Sequence, residues 1–211
     1  MDAEWLAEGV LPQSGWTRVP GEGIGEPEEW FQSETARIRS WWGEEAWGPG
    51  VEASVRDALT DAVAKAAELG TLSVMLHWPL DVPVPSRVRI LLAAGAPLDP
   101  SGWREAGFEV DEYPGAGLGP GLKCVAVRKE TINGEVLQLF TAVYAFSDES
   151  GSVLIIVEAG AQEVFQMTMA GIPVLLSSLQ VTGPTGKKFA GNPVPSVTRK
   201  PTDEWESISN A

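Results

Sequence analysis

Apolar residues recur at helical spacing in three parts of the chain. The clearest is residues 51–69, where apolar positions three or four apart share one side of the helix. Residues 27–42 begin with Pro-Glu-Glu, which is typical of a first helical turn. Residues 162–179 form the third helix, which we expect to be kinked or broken at residues 171–173, because Gly-Ile-Pro interrupts the pattern there.

Six further segments have the patterns of β-strands. After Gly70 ends the preceding helix, residues 71–78 alternate apolar and polar positions with a period of two. Residues 136–146 are apolar on both sides, so both faces of this strand must be covered. The dipeptide Asn133-Gly134 before it is typical of a two-residue hairpin turn. The predicted strands are residues 71–78, 87–92, 108–113, 122–129, 136–146 and 153–157.

These elements predict an α+β fold built around an antiparallel sheet. The connections after the second helix are too short for the crossovers that parallel strands need, so the strands should form a meander. The helix at residues 51–69 and the C-terminal helix would cover its two faces and give an α/β/α sandwich. We place a single α+β domain at residues 27–181, an irregular lead-in at residues 1–26 and a mostly disordered tail at residues 182–211.

The charge balance argues against several classes of partner. The 211 residues include 15 Lys and Arg against 29 Asp and Glu, and the net charge of −14 repels nucleic acid and anionic lipid. No apolar run approaches the roughly 18 residues of a membrane span, and residues 1–10 lack the features of a secretory signal. Together with a single cysteine, these features predict a cytoplasmic protein without nucleic-acid or membrane partners.

The residue types that most often carry chemistry are nearly absent. Because His77 is the only histidine and Cys124 the only cysteine, one chain cannot form a catalytic triad or a His/Cys metal cluster. Cys124 lies in a strand pattern typical of a buried thiol. The glycine-rich loop at residues 115–121 is followed by Leu-Lys-Cys and not by the Lys-Ser/Thr of a phosphate-binding loop, which favours a flexible connection. We therefore predict no catalytic residues, no cofactor and no metal.

Tryptophan is concentrated in one short segment. Trp30, Trp41, Trp42 and Trp47 fall within eighteen residues that also contain several glutamates. Such a cluster can pack a helix onto the main core. The alternative is an aromatic docking surface, because tryptophan is enriched in interface hot spots. We take these four residues as candidates for protein binding.

The order of elements between residues 70 and 181 resembles the PsbP-like superfamily. The resemblance is carried by residues 144–157, Tyr-Ala-Phe-Ser-Asp-Glu-Ser-Gly-Ser-Val-Leu-Ile-Ile-Val, and by the helix ending at residues 175–181, Leu-Leu-Ser-Ser-Leu-Gln-Val. It covers about half of the chain and contains no chemical motif. It implies a twisted antiparallel sheet between helices and a role in binding or assembly, without a shared active site.

Three functions follow as hypotheses. The leading one is a non-enzymatic protein-binding or assembly domain that uses sheet edges, the tryptophan-rich segment or both to hold a protein partner or a second copy. The second is a small-molecule-binding domain or an enzyme whose site brings together Tyr113, Tyr144, Arg87 or carboxylates only in the folded chain. The third is an acidic inhibitor or immunity-type protein that matches a basic partner.

Overall fold

A computed structural model gives the fold and describes residues 5–11, 15–21, 27–93, 99–115, 117–132 and 135–194. Its helices are α1 (Pro27–Trp42), α2 (Pro49–Ala66), α3 (Pro100–Glu105) and α4 (Gln162–Ser178). Its strands are β1 (Leu6–Glu8), β2 (Trp16–Val19), β3 (Thr71–His77), β4 (Ser86–Ala93), β5 (Glu109–Tyr113), β6 (Gly121–Ile132), β7 (Glu135–Asp148), β8 (Gly151–Ala159) and β9 (Gln180–Thr182). Within these ranges, no helix is both long and apolar enough to cross a membrane.

Seven of the strands form one antiparallel sheet, which confirms the α+β class. The strand order is β2-β3-β4-β8-β7-β6-β5. The prediction of one continuous meander is wrong at a single point, because β4 neighbours β8 and not β5. This pairing sets Val88 opposite Val157 and Ile90 opposite Ile155, so matched apolar side chains lie on one face in the middle of the sheet. The acidic β5 is left at an edge, where charged residues discourage further strand pairing.

The described residues of the segment predicted as an irregular lead-in include two strands. Trp16 of β2 pairs with His77, which adds β2 to the edge of the sheet beside β3. Farther upstream, β1 forms a separate antiparallel pair with β9. The two strands have only four and three residues, so neither contains enough alternation to stand out in the sequence.

The first part of the predicted disordered tail packs against the globular core. Phe189 is buried, and its amide donates a hydrogen bond to the carbonyl of Val181 at 2.8 Å. Farther on, the amide of Asn192 donates to the carbonyl of Ser147 at 2.7 Å. Residues 195–211 lie outside the described residues, so disorder there stays a prediction.

The other predicted elements are present, with one correction in the last helix. α4 continues through Pro173 as one helix, so it is not broken there, and a kink at residues 171–173 stays a prediction. Pro173 is exposed, so its ring faces away from the core. The hairpin between β6 and β7 is confirmed by the pairing of Ile132 with Glu135. Its turn residues, Asn133 and Gly134, lie outside the described residues.

Three groups of buried side chains hold these elements together. The first core joins α4 to the sheet through Phe165 and Ile172, which pack with Ile155. The second core joins α1 and α2 to β3, and the third joins β5, β6 and β7 beside α3. Along β3, Met75 belongs to the first core, while Val74 and Leu76 on either side of it belong to the second.

Candidate protein-binding surface

Trp42 is the most deeply buried of the four candidate tryptophans. It is the last residue of α1, and its ring lies 5.6 Å from that of Trp47 and 5.9 Å from that of Trp78, measured between centroids. Gly43 ends the helix with a φ of 79°, a backbone conformation that favours glycine, and so turns the chain immediately after Trp42. In this structure Trp42 is part of the second core, as expected for core packing.

Trp30 and Trp41 are half-buried against the same core. The Trp30 ring packs edge-on against Phe31 at 5.2 Å. The guanidinium of Arg37 lies 4.8 Å from the centroid of Trp41, a cation–π contact. Both side chains thus combine an anchored part with an accessible part.

Trp47 lies in the short connection between α1 and α2, after a 3-10 turn at Glu44–Ala46. The side chain is half-buried, and its indole Nε1 donates to Glu52 at 3.3 Å. It borders an open depression of about 520 Å³ whose wall also includes Arg39 and Arg56. The structure thus brings one of the four tryptophans to an accessible concave surface, with the buried Trp42 ring next to it. We call this surface the Trp47 depression.

The two arginines of the Trp47 depression are held by exposed carboxylates. Arg39 Nε donates to Glu44 at 2.9 Å, and Arg56 donates to Glu28 at 2.5 Å. These hydrogen bonds lower the pKa of Glu44 and of Glu28. Because both carboxylates face solvent, an incoming acceptor can replace them at little cost in free energy.

The lining residues other than Trp47 were not identified from the sequence. Arg39 and Arg56 lie on the polar sides of their helices, where a solvated role is the ordinary interpretation. The available signal was the short connection at residues 43–48, which obliges α1 and α2 to be neighbours and so places their facing polar residues together.

A second accessible apolar surface lies on the β6–β7 hairpin. The pairing of β5 with β6 ends at Val125, and that of β8 with β7 ends at Phe140, so the hairpin extends beyond both neighbouring strands. Val136 is 67% exposed, and Val127 and Leu137 are also exposed. This surface also carries an exposed arginine, Arg128, whose guanidinium lies 4.8 Å from the centroid of the Phe108 ring.

His77 lies in a buried network of neutral groups. Its Nδ1 is 2.8 Å from the hydroxyl oxygen of Thr168, which in turn is 2.8 Å from that of Ser86. The Trp16 ring stacks on the imidazole at 4.5 Å. Burial lowers the pKa of His77 to about 4. The imidazole therefore joins β3, β4 and α4 as a neutral group, which suits a structural role better than proton transfer near pH 7.

Of the residues named in the second hypothesis, Tyr113 and Tyr144 lie together, and Arg87 lies apart from them. The two tyrosine rings contact each other at 5.0 Å, and Tyr144 lies in the first core. Arg87 instead pairs with Asp61 of α2 and with Glu158 of β8. Val88, the residue after Arg87, belongs to the core that holds Tyr144, so the alternation along β4 turns Arg87 to the other side of the sheet.

Described glycines of the glycine-rich loop lie against neighbouring backbone. A Cβ added at Gly117 would lie 2.3 Å from the carbonyl oxygen of Leu179, and one at Gly121 would lie 2.4 Å from that of Ala145. These glycines permit close contact with α4 and β7, and packing explains them without a phosphate. Among the described residues, no group of three or more His, Cys, Asp or Glu could hold a metal ion.

Cys124 is fully buried in the third core, and burial raises the pKa of its thiol to about 12. We expect Ellman's reagent to label the native protein at least about 100-fold more slowly than the chain unfolded in guanidinium chloride, because thiolate and access are both lacking. Equal rates in the two conditions would contradict the buried, inert thiol. A Cys124→Ser variant corrects for background colour.

Comparisons of the chain with protein-family models, with curated proteins and with solved structures give no match. The function of this chain is therefore inferred from its own surfaces.

Proposed function

We propose that this protein is a non-enzymatic protein-binding or assembly domain whose docking site is the Trp47 depression. The observation that carries the proposal is a half-buried tryptophan in an open concave surface that is also lined by two arginines and by Glu52, which accepts the indole hydrogen bond. Tryptophan and arginine are the residues most enriched in interface hot spots. An open depression suits a protruding segment of a protein better than an enclosed small molecule, which is usually buried over most of its surface.

The lining of the depression indicates the chemistry of the segment that it binds. Trp47 offers an aromatic face to an apolar side chain, and Trp42 behind it keeps that ring in place. Arg39 and Arg56 offer guanidinium donors once Glu44 and Glu28 are displaced. We therefore propose that the partner inserts an apolar side chain next to a carboxylate or another strong hydrogen-bond acceptor. Trp30 and Trp41 stay candidates for protein binding outside the lining of the depression.

The proposal includes the finer architecture expected from the sequence. It places α1, α2 and α3 on one face of the sheet and α4 on the other, in an α/β/α sandwich like that of the PsbP-like superfamily. The alternation of Val74, Met75 and Leu76 between the second and first cores supports this arrangement. A cytoplasmic location stays part of the proposal, supported by the single reduced cysteine.

The test is an affinity capture from native lysate with three baits, namely the wild-type protein, Trp47→Ala and Trp103→Ala. Trp103 is a matched control, because it is also half-buried but packs on Phe108 in the third core. We expect a specific partner on the wild-type and Trp103→Ala baits and at least about 30-fold less of it on Trp47→Ala, which corresponds to a hot-spot loss of about 2 kcal/mol. Thermal unfolding of each bait verifies that it is folded.

The same capture distinguishes the other two hypotheses. A partner retained equally by Trp47→Ala but released by moderate salt would favour an acidic inhibitor that acts through its net charge of −14. Absence of any specific partner, combined with stabilisation of the protein by a metabolite, would favour the small-molecule function. Either result would contradict the Trp47 depression as a docking site.

A further inference from the structure

The outward face of α4 differs from those of the other long helices. α2 exposes charged residues such as Glu52, Arg56 and Asp57. In α4, the only charged residue is Glu163, in the first turn. The outward positions after it are Gln166, Met167, Ala170, Pro173, Val174 and Ser177. A 17-residue surface helix with a nearly uncharged outer face is unusual in a chain with a net charge of −14.

The fold does not use these outward side chains. The inward residues of α4, among them Phe165, Ile172 and Leu176, fill the first core. Met167 is 45% exposed and Val174 is 50% exposed, on the opposite side of the helix. The apolar surface continues at the end of α4. There the backbone amide of Val10 donates to Ser178 Oγ at 2.9 Å, and the side chain of Val10 is 64% exposed.

We propose that a second copy of this chain packs on this face, with the two α4 helices related by a two-fold axis. Copies that each carry −14 repel one another through most of their surface, and a helix face whose only charged residue is Glu163 in the first turn lets them approach with less repulsion. In a two-fold contact the same patch meets itself, so a self-complementary apolar surface is sufficient. Ala170 and Gly171 near the middle of α4 leave room for close helix contact.

The size of the face indicates a weak dimer. A helix of this length is about 25 Å long and about 10 Å wide, so even with Val10 the contact buries less than the roughly 800 Å² per partner of a standard interface. We therefore expect a reversible dimer with a dissociation constant on the order of 10–100 µM. Because no residue of the Trp47 depression lies in α4 or β1, this dimer leaves the depression free. The two proposals can therefore fail independently.

The test is sedimentation equilibrium on the full chain from about 1 µM to about 500 µM. The wild-type mass should rise from 22.5 kDa towards twice that value, and added salt should tighten the dimer by screening the repulsion. We expect Met167→Glu and Val174→Glu each to weaken the dimer at least about tenfold. Val84→Glu is the matched control, since Val84 is 43% exposed in the β3–β4 connection and outside α4.

Cross-linking gives a second readout that does not depend on mutating the apolar side chains. An Ala170→Cys variant should form a disulfide-linked dimer under oxidation, while the wild-type protein, whose Cys124 is buried, should form no covalent cross-link under the same conditions. The proposal is overturned if the wild-type protein stays monomeric over this concentration range. It is also overturned if the monomer instead binds phosphatidylcholine vesicles in a cosedimentation assay, because the apolar face would then contact lipid. It is equally overturned if Val84→Glu weakens association as much as Met167→Glu does.

Discussion

Replacement of Trp42 by alanine is expected to lower the free energy of unfolding by about 3–5 kcal/mol, the range found when a large buried aromatic side chain is truncated. The indole is 9% exposed and lies against both Trp47 and Trp78, so its removal leaves a cavity between α1, α2 and β3. Equilibrium unfolding in urea measures this loss of unfolding free energy. The midpoint urea concentration should fall while the dependence of the free energy on urea concentration stays unchanged.

Trp41 is the natural control for this experiment, because it precedes Trp42 in the same helix and is only half-buried. Trp41→Ala removes the same chemical group but much less buried area, and we expect less than half of the loss seen for Trp42→Ala. Equal losses at the two positions would contradict the division of the tryptophan-rich segment into a core part and an accessible part.

The protein is expected to lose about 2 kcal/mol of stability between pH 7 and pH 5 through His77 alone. The pKa of His77 is about 4 in the folded protein, below the ordinary value of 6.5 expected for the unfolded chain. As the pH falls below 6.5, the unfolded chain therefore binds a proton before the folded one does. The stabilisation is complete above pH 6.5 and is lost as the pH falls towards 4, where the total loss approaches about 3 kcal/mol.

Urea unfolding at several pH values tests this expectation, with His77→Gln as the control. Glutamine retains an amide for the hydroxyl of Thr168 but does not titrate, so the dependence between pH 7 and pH 5 should largely disappear. Glu28, Glu44 and Glu68 have lowered pKa values, so their contributions fade only at more acidic pH, outside this window. An unchanged slope in His77→Gln would show that other groups carry the pH dependence.

The elements that the sequence predicted well are those whose pattern is local. Residues 51–69 and 71–78 show the change from helical to alternating periodicity within twenty-eight positions, and α2 and β3 follow it closely. The β6–β7 hairpin was similarly indicated by its turn residues and by the long apolar strand after them.

The features that were missed depend on contacts between distant parts of the chain. β1 and β9 are three residues each and exist because Ala7 lies opposite Val181, a pairing that no local pattern specifies. The pairing of β4 with β8 likewise depends on matched apolar residues that are far apart in sequence. Pro173 misled the prediction of α4, because it lies on the exposed side of a helix whose packing on the sheet holds it together.

The tryptophan-rich segment shows the same limit at the candidate site. Its composition identified four candidate tryptophans but not how deeply each one is buried. Only the packing of α1 against α2 makes Trp42 part of a core and leaves Trp47 at the edge of a depression beside Arg39 and Arg56. The candidate binding site is therefore reduced from a segment of eighteen residues to one concave surface.

The most direct measurement of the proposed function is a calorimetric titration of the purified captured partner into the wild-type protein, Trp47→Ala and Arg39→Glu. If the Trp47 depression is the docking site, both substitutions should weaken binding by about 30-fold or more, which corresponds to a loss of about 2 kcal/mol. Trp103→Ala should bind as the wild type does. Unchanged affinity in Trp47→Ala and Arg39→Glu, with both proteins folded, would contradict the proposal.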